Sequence, residues 1–220
     1  KGRFHFQFMP LLHHSTYRRP RFLLNGHVET IYPSLFRKVQ GVDYERERIE
    51  TPDGDFLDLD WLDRGSRRLV LLSHGLEGDS NRAYVKGMAK FFSQQNLDVL
   101  AWNCRSCSGE MNRSLRMYHH GEIGDIGEVI RHALHTKDYE FIALIGFSMG
   151  GNINMKYLGV HGKEVPEAVR ACVAFSSPTD LEAGAAILDL PRNFIYKRRF
   201  LHYLSLKMQA KQQQFPGKID

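Results

Sequence analysis

The chain has 220 residues, 42% of them hydrophobic and 25% charged, which is enough for one domain with a packed core and excludes general disorder. Its 3 cysteines exclude a disulfide framework and favour a reducing, cytoplasmic setting. The formal charge of +5 comes from short, scattered basic groups, so we expect no nucleic-acid partner. Two interpretations of these groups stay open: a solvated surface, and weak contact with anionic membrane surfaces or acidic substrates.

The N-terminal part, residues 1–40, has no periodic pattern and is interrupted by prolines, which predicts an irregular segment. Met9 is a candidate natural start, in which case residues 1–8 are upstream sequence. The following segment alternates apolar and polar residues on both sides of Pro52-Asp53-Gly54. This alternation predicts an antiparallel hairpin with a tight turn.

Residues 41–178 are predicted to form an α/β core that begins with this hairpin. The runs RRLVLLS, LDVLAWN, FIALIGF and VRACVAF are typical of strands buried on both faces of a parallel sheet. The segments between these runs carry apolar residues at helical spacing. The pattern predicts six strands in a mostly parallel sheet, with helices on both faces.

Residues 179–220 contain two helical patterns and no further strand pattern. In the second pattern Phe200, Leu201, Leu204 and Met208 share one face. Two helices placed after a sheet strand form either a lid over an active site or a pair of ordinary packing helices. We describe the segment as lid-like.

The motif from Gly146 to Gly150, Gly-x-Ser-x-Gly, stands directly between a predicted strand and a predicted helix. This is the setting of a nucleophile elbow, in which a strained turn presents the hydroxyl of Ser148 at the tip of the strand. Gly146 and Gly150 leave room where strand and helix pack closely, and Gly151 lets the helix start tightly. Ser148 is therefore the predicted nucleophile; the alternative is a tight turn without a catalytic role.

An acyl-transfer site also needs two N–H donors for the oxyanion of the tetrahedral intermediate. The backbone N–H of Met149, directly after the serine, is one candidate, and that of Leu76 in the loop SHGLEG is the other. His74 and Gly75 precede Leu76 in this loop. We expect His74 to shape the loop; the alternative is a general base.

Cys104 and Cys107 form a C-x-x-C motif. The motif lacks a second cysteine pair for zinc, and Ser108-Gly109 follow it where a redox site would begin a helix. Incidental cysteines are the favoured interpretation, and a redox site is the alternative. We expect no metal and no cofactor.

Four blocks of the sequence, in order and spacing, resemble the YheT-like branch of the α/β-hydrolase superfamily, to which eukaryotic abhydrolase and plant embryogenesis-associated proteins are related. They are GHVETIYPSLF, HGLEGDSNRAYVKGMAKFF, NCRSCSGEMNRSLRMYHHGE and GFSMGGNINMKYLG. The resemblance implies an α/β-hydrolase fold, Ser148 as the nucleophile, Leu76 and Met149 as oxyanion donors, and carboxylic-ester or lipid-acyl substrates. Ser106 stands where the family has glycine, so we expect the loop over the site to differ.

The resemblance also implies a catalytic acid and a histidine at the ends of the last two strands of the fold, beyond the lid. Asp180, just after the sixth strand, is placed to cap the next helix; the alternative is the catalytic acid. His161 lies roughly 18–20 Å from the elbow along the next helix, at 1.5 Å per residue, and His202 lies in the lid-like segment. We therefore expect the acid, the base and the last two strands beyond Asp220, an unpaired edge at VRACVAF, and an inactive 220-residue chain.

The leading hypothesis is a serine hydrolase that cleaves carboxylic esters through an acyl-enzyme on Ser148, with lipid acyl esters among the candidate substrates. A thioesterase or an acyltransferase with the same elbow is an open alternative. A non-catalytic ligand-binding protein with the α/β-hydrolase fold is another.

Overall fold

The computed structural model describes residues 14–219, which form two compact units that divide between Arg37 and Lys38. The hypotheses about Met9 and residues 1–8 lie outside the described residues.

Helix α1 (Gly26–Phe36) lies in the first unit. Asn25 caps its N-terminus, because the side-chain oxygen accepts a hydrogen bond from the Val28 N–H at 3.0 Å. The prediction that residues 1–40 are irregular is therefore wrong for this stretch. Pro33 stands inside the helix, and a proline usually ends or kinks a helix, which is why the sequence pattern indicated otherwise.

The second unit is built on a six-stranded mixed sheet. Its strands are β1 (Glu45–Glu50), β2 (Phe56–Leu62), β3 (Arg68–Ser73), β4 (Asp98–Asn103), β5 (Phe141–Phe147) and β6 (Val169–Phe175). They lie in the order β1-β2-β4-β3-β5-β6. The pairs β1–β2 and β2–β4 are antiparallel and the other three pairs are parallel, which confirms the predicted hairpin and the mostly parallel sheet.

Five α-helices belong to the second unit: α2 (Ala83–Ser93), α3 (Gly124–Thr136), α4 (Met149–His161), α5 (Leu181–Leu188) and α6 (Phe194–Gln214). Alternate residues of β3 belong to two different apolar clusters. Leu69 and Leu71 pack with residues of α3 and α4, whereas Val70 and Leu72 pack with residues of α2. Because successive side chains of a strand point to opposite faces, helices cover both faces of the sheet, as predicted.

Strand β6 forms one edge of the sheet within the described residues. The side chains of Val173 and Phe175 on this strand are 44% and 42% exposed. The prediction that VRACVAF leaves an apolar edge is therefore confirmed for this part of the chain. An apolar edge strand can accept another strand, which makes it an aggregation hazard.

A buried ionic cluster joins the hairpin turn to the segment that follows β4. The Arg105 side chain is 1% exposed, and its guanidinium binds Asp125 at 2.7 Å. The same group binds Asp53 at 2.8 Å and Asp55 at 3.0 Å. Asp55 is fully buried and also accepts hydrogen bonds from neighbouring polar side chains. Each buried charge thus has the partners that its removal from water requires.

Candidate active site

Ser148 lies between the end of β5 and the first residue of α4. Its φ of 50° and ψ of −117° form a sharp turn that is strained for a residue with a side chain. The surrounding backbone holds this turn, because the Ser148 N–H donates to Phe175 O at 2.8 Å and its carbonyl accepts from the Gly151 N–H at 3.0 Å. The half-buried serine hydroxyl makes no hydrogen bond to another residue in the described part of the chain.

The three glycines around Ser148 lie where a side chain has no room. A methyl group on Gly146 would lie 2.5 Å from the backbone of Gly150, and one on Gly150 would overlap the carbonyl oxygen of Ser73. A methyl group on Gly151 would overlap the hydroxyl of Ser177. Helix α4 therefore packs against the strands backbone to backbone, and this close packing fixes the direction in which Ser148 emerges.

We expect Gly150→Ala to lower the free energy of unfolding by about 3 kcal/mol or more, because the β3 backbone must move to admit the methyl group. Gly159→Ala is the matched control in the same helix. Apart from its chain neighbours and its own helix backbone, no atom of residues 14–219 lies within 4 Å of the methyl group it would add, so better helix propensity raises the free energy of unfolding by up to about 1 kcal/mol. Urea denaturation followed by circular dichroism measures both values. Equal effects of the two changes would show that the close packing at Gly150 is wrong.

The loop after β3 lies directly beside the serine. A methyl group on Gly75 would be 3.3 Å from Ser148 Cβ and 3.3 Å from the carbonyl oxygen of Phe147. The N–H groups of Leu76 and Met149 have no hydrogen-bond partner among residues 14–219. Both remain able to donate, and the Met149 N–H is one of the unpaired donors at the N-terminus of α4.

His74 is buried and uses both ring nitrogens inside the protein. Its Nε2 accepts a hydrogen bond from the Cys104 N–H at 3.0 Å, so its Nδ1 carries the proton and donates to Gly75 O at 2.8 Å. Burial lowers the pKa of His74 to about 4, which keeps the ring neutral in this role. The ring links the ends of β3 and β4, an arrangement that fits a residue that shapes the loop rather than a base.

The other candidates for the acid and the base lie elsewhere. Asp180 caps α5, where its side chain accepts a hydrogen bond from the Ala183 N–H at 2.9 Å. His161 is the last residue of α4, and exposed His202 packs against Tyr203 on α6. No hydrogen bond joins a histidine between positions 38 and 219 to the Ser148 hydroxyl.

Cys104 and Cys107 are free, buried thiols. Burial raises the pKa of both, so they stay protonated and are weak nucleophiles. Lys207 Nζ lies 3.2 Å from Cys107 Sγ. Within residues 14–219, no group of three or more histidine, cysteine, aspartate or glutamate side chains is arranged to hold a metal ion.

Ser106, the departure from the family pattern, has a φ of 61°. This is the left-handed region that glycine favours. The serine is held there by Asn112, whose N–H donates to Ser106 Oγ at 3.1 Å and whose Oδ1 accepts from the same hydroxyl at 2.5 Å. The side chain thus stabilises a conformation that it would otherwise disfavour.

Three residues beside the site were missed from the sequence: Glu77, Tyr118 and Lys207. The Glu77 carboxylate accepts hydrogen bonds from Tyr118 Oη and from Lys207 Nζ. The sequence contained one signal for Lys207: it stands four residues before Lys211, so both lie on one face of α6. Both turn toward the protein interior, although charged side chains usually face water.

The family model described as alpha/beta hydrolase fold matches residues 68–204, more than half of the chain. The chain therefore belongs to the α/β-hydrolase family, which confirms the predicted fold. Its resemblance to the YheT-like branch is also confirmed: it is 33% identical over 200 residues to "Putative esterase YheT" of Escherichia coli (strain K12), covering 89% of this chain and 58% of that protein.

A second relative, "Phospholipase ABHD3" of Homo sapiens, is 27% identical over 204 residues, which are 89% of this chain and 49% of that protein. The chain thus spans about half the length of these relatives. Esterase Pf2001 of Pyrococcus furiosus shares the fold, with a TM-score of 0.59 at 23% identity over 82% of this chain and 64% of that one. None of the helices among residues 14–219 is long and apolar enough to cross a lipid bilayer.

Proposed function

We propose that the protein is a serine hydrolase that cleaves carboxylic esters, lipid acyl esters among them, through an acyl-enzyme on Ser148. The observation that carries the proposal is the strained turn at Ser148, packed so close to Gly75 that a methyl group there would lie 3.3 Å from Ser148 Cβ. The loop that contains Gly75 also holds the unpaired Leu76 N–H. A strained serine beside unpaired backbone donors is the arrangement that acyl transfer requires.

In the proposed reaction, Ser148 Oγ attacks the ester carbonyl carbon and loses its proton to a base. The carbonyl oxygen becomes an oxyanion, which accepts hydrogen bonds from the N–H groups of Leu76 and Met149. When the carbonyl re-forms, the bond to the alcohol breaks and the alcohol leaves with a proton from the base. Water then attacks the acyl-enzyme in the same way and releases the acid and the free serine.

The base must be a histidine or an equivalent group within hydrogen-bond reach of Ser148 Oγ. None of the histidines between positions 38 and 219 is in that position. We therefore infer that the base and its acid partner come from a part of the protein outside residues 38–219, and that this segment alone turns over ester very slowly. The relatives support an ester substrate through their names, an esterase and a phospholipase.

A fluorophosphonate probe tests the proposal, because it forms a stable adduct with an activated serine. We expect the full-length protein to be labelled on the peptide that contains Ser148, as mapped by mass spectrometry, and Ser148→Ala to abolish labelling. Ser66→Ala is the control, since this serine lies just before the opposite end of β3, and labelling should be unchanged. Labelling of a different residue, or none, would refute the proposal.

A further inference from the structure

A buried cluster of three side chains lies directly beside Leu76. The next residue, Glu77, has a φ of 54°, a left-handed conformation that costs a residue with a side chain about 1 kcal/mol or more. Its carboxylate is 6% exposed and accepts hydrogen bonds from Tyr118 Oη and from Lys207 Nζ, the latter at 3.0 Å. The Lys207 ammonium also lies 4.9 Å from the centre of the Tyr118 ring. The cluster thus anchors the side chain of a strained backbone residue.

The strained residue sits inside a tight turn whose shape determines the position of the Leu76 N–H. The Gly78 N–H donates to Gly75 O at 2.9 Å, so Leu76 and Glu77 are the central residues of a β-turn. A positive φ at the second central residue is typical of a type II turn, a position that favours glycine. Without its anchor, Glu77 would relax toward a negative φ, and the turn that carries the Leu76 N–H would change its shape.

Tyr118 and Lys207 restrain this turn from two directions. The Glu77 N–H donates to Tyr118 Oη at 3.3 Å, which holds the Leu76–Glu77 peptide itself. Lys207 reaches the Glu77 carboxylate from α6, in the segment after β6. One turn further along α6, the buried Lys211 donates to the carbonyl oxygens of Asn112 and Ser114 at 2.6 Å each. Helix α6 is therefore held at two successive turns, and at the first of them the contact is with Glu77, the residue directly after Leu76.

We propose that Lys207 is a positioning residue for the oxyanion hole. From α6 it holds Glu77, and through Glu77 it holds the Leu76 N–H in the orientation that stabilises the tetrahedral intermediate. This role rests on the proposed function, because it concerns the reaction of Ser148. Lys207 does not touch the reacting atoms, and its effect falls on the transition state, where the oxyanion forms. Catalysis is thereby tied to the docking of α6.

The test uses the full-length protein and a soluble ester such as p-nitrophenyl butyrate. We expect Lys207→Met to lower kcat by about 10- to 100-fold while KM changes by less than about threefold, because a misplaced donor weakens only transition-state binding. Lys207→Arg retains the charge and should return kcat to within about fivefold of wild type. Lys197→Met is the matched control: Lys197 lies on the same helix as Lys207, and its loss removes a surface ion pair with Asp189 and should leave kcat unchanged.

A second variant keeps the test decisive if Lys207→Met folds poorly. Glu77→Gln weakens the same ion pair from the other side, and the double variant with Lys207→Met should lose no more kcat than Lys207→Met alone. Additive losses, a change confined to KM, or a fall in thermal stability without a kcat effect would overturn the positioning role. Wild-type protein that neither labels with fluorophosphonate nor turns over ester would instead overturn the proposed function, and the role of Lys207 with it.

Discussion

Replacing Ser148 with alanine in the full-length protein should lower kcat for ester hydrolysis by about 10⁴- to 10⁶-fold and leave KM nearly unchanged. The alanine removes the attacking oxygen and nothing else, because the glycines around it set the course of the backbone. The proposed donors, the N–H groups of Leu76 and Met149, should keep their places, so we expect KM to change little. Kinetics of p-nitrophenyl ester hydrolysis measures both constants.

Ser177→Ala is an informative control for this experiment. The Ser177 hydroxyl donates to the carbonyl oxygen of Ser148 at 3.0 Å and so supports the elbow without supplying the nucleophile. Loss of one such hydrogen bond should cost less than about tenfold in kcat. If Ser148→Ala and Ser177→Ala reduced kcat equally, Ser148 would be a structural residue and not the nucleophile.

Arg105→Met should lower the free energy of unfolding at pH 7 by about 3–5 kcal/mol, because it leaves the carboxylates of Asp55 and Asp125 buried without their cation. Urea denaturation measures the loss. Arg67→Met is the matched control, since the Arg67 side chain is 53% exposed and its ion pairs with Asp138 and Glu140 lie in water. That change should cost less than about 1 kcal/mol. A similar cost for both variants would contradict the role of burial.

The pH dependence of stability gives an independent check on the same cluster. Burial alone raises the pKa of Asp53, but hydrogen bonds from Arg105 and Thr51 outweigh it and lower the pKa to about 2. Because Asp53 has a lower pKa in the folded protein than in the unfolded chain, where it is about 3.9, its ionised carboxylate stabilises the fold at pH values above about 3.9. This stabilisation is lost as the pH falls toward about 2. Arg105→Met removes the main cation, so the variant should lose less stability than wild type between pH 4 and about 2.

The sheet and the sharp turn at Ser148 were predictable because their signals are local. Short apolar runs alternate with helical patterns along the chain, and the Gly-x-Ser-x-Gly motif is contiguous from Gly146 to Gly150. The hairpin was equally readable from its alternation around the Pro52-Asp53-Gly54 turn. In each case the residues that make the structure are neighbours in sequence, so periodicity and turn chemistry were sufficient.

The parts that could not be predicted depend on distant partners or on competing local signals. Lys207 and Glu77 are separated by 130 positions, and no pattern near either one indicates the other. Helix α1 has a clear cap at Asn25, but Pro33 within it weighed against a helix. The left-handed backbone at Glu77 is also invisible in sequence, because glutamate is not a residue that favours it.

The two edges of the sheet differ in their readiness to pair with a further strand. Five of the six residues of β1 are charged, so this edge repels an incoming strand and keeps its unpaired backbone groups in water. Strand β6 at the other edge offers apolar side chains and, within residues 14–219, no covering strand. An additional strand is therefore accepted more readily beside β6 than beside the charged β1 edge.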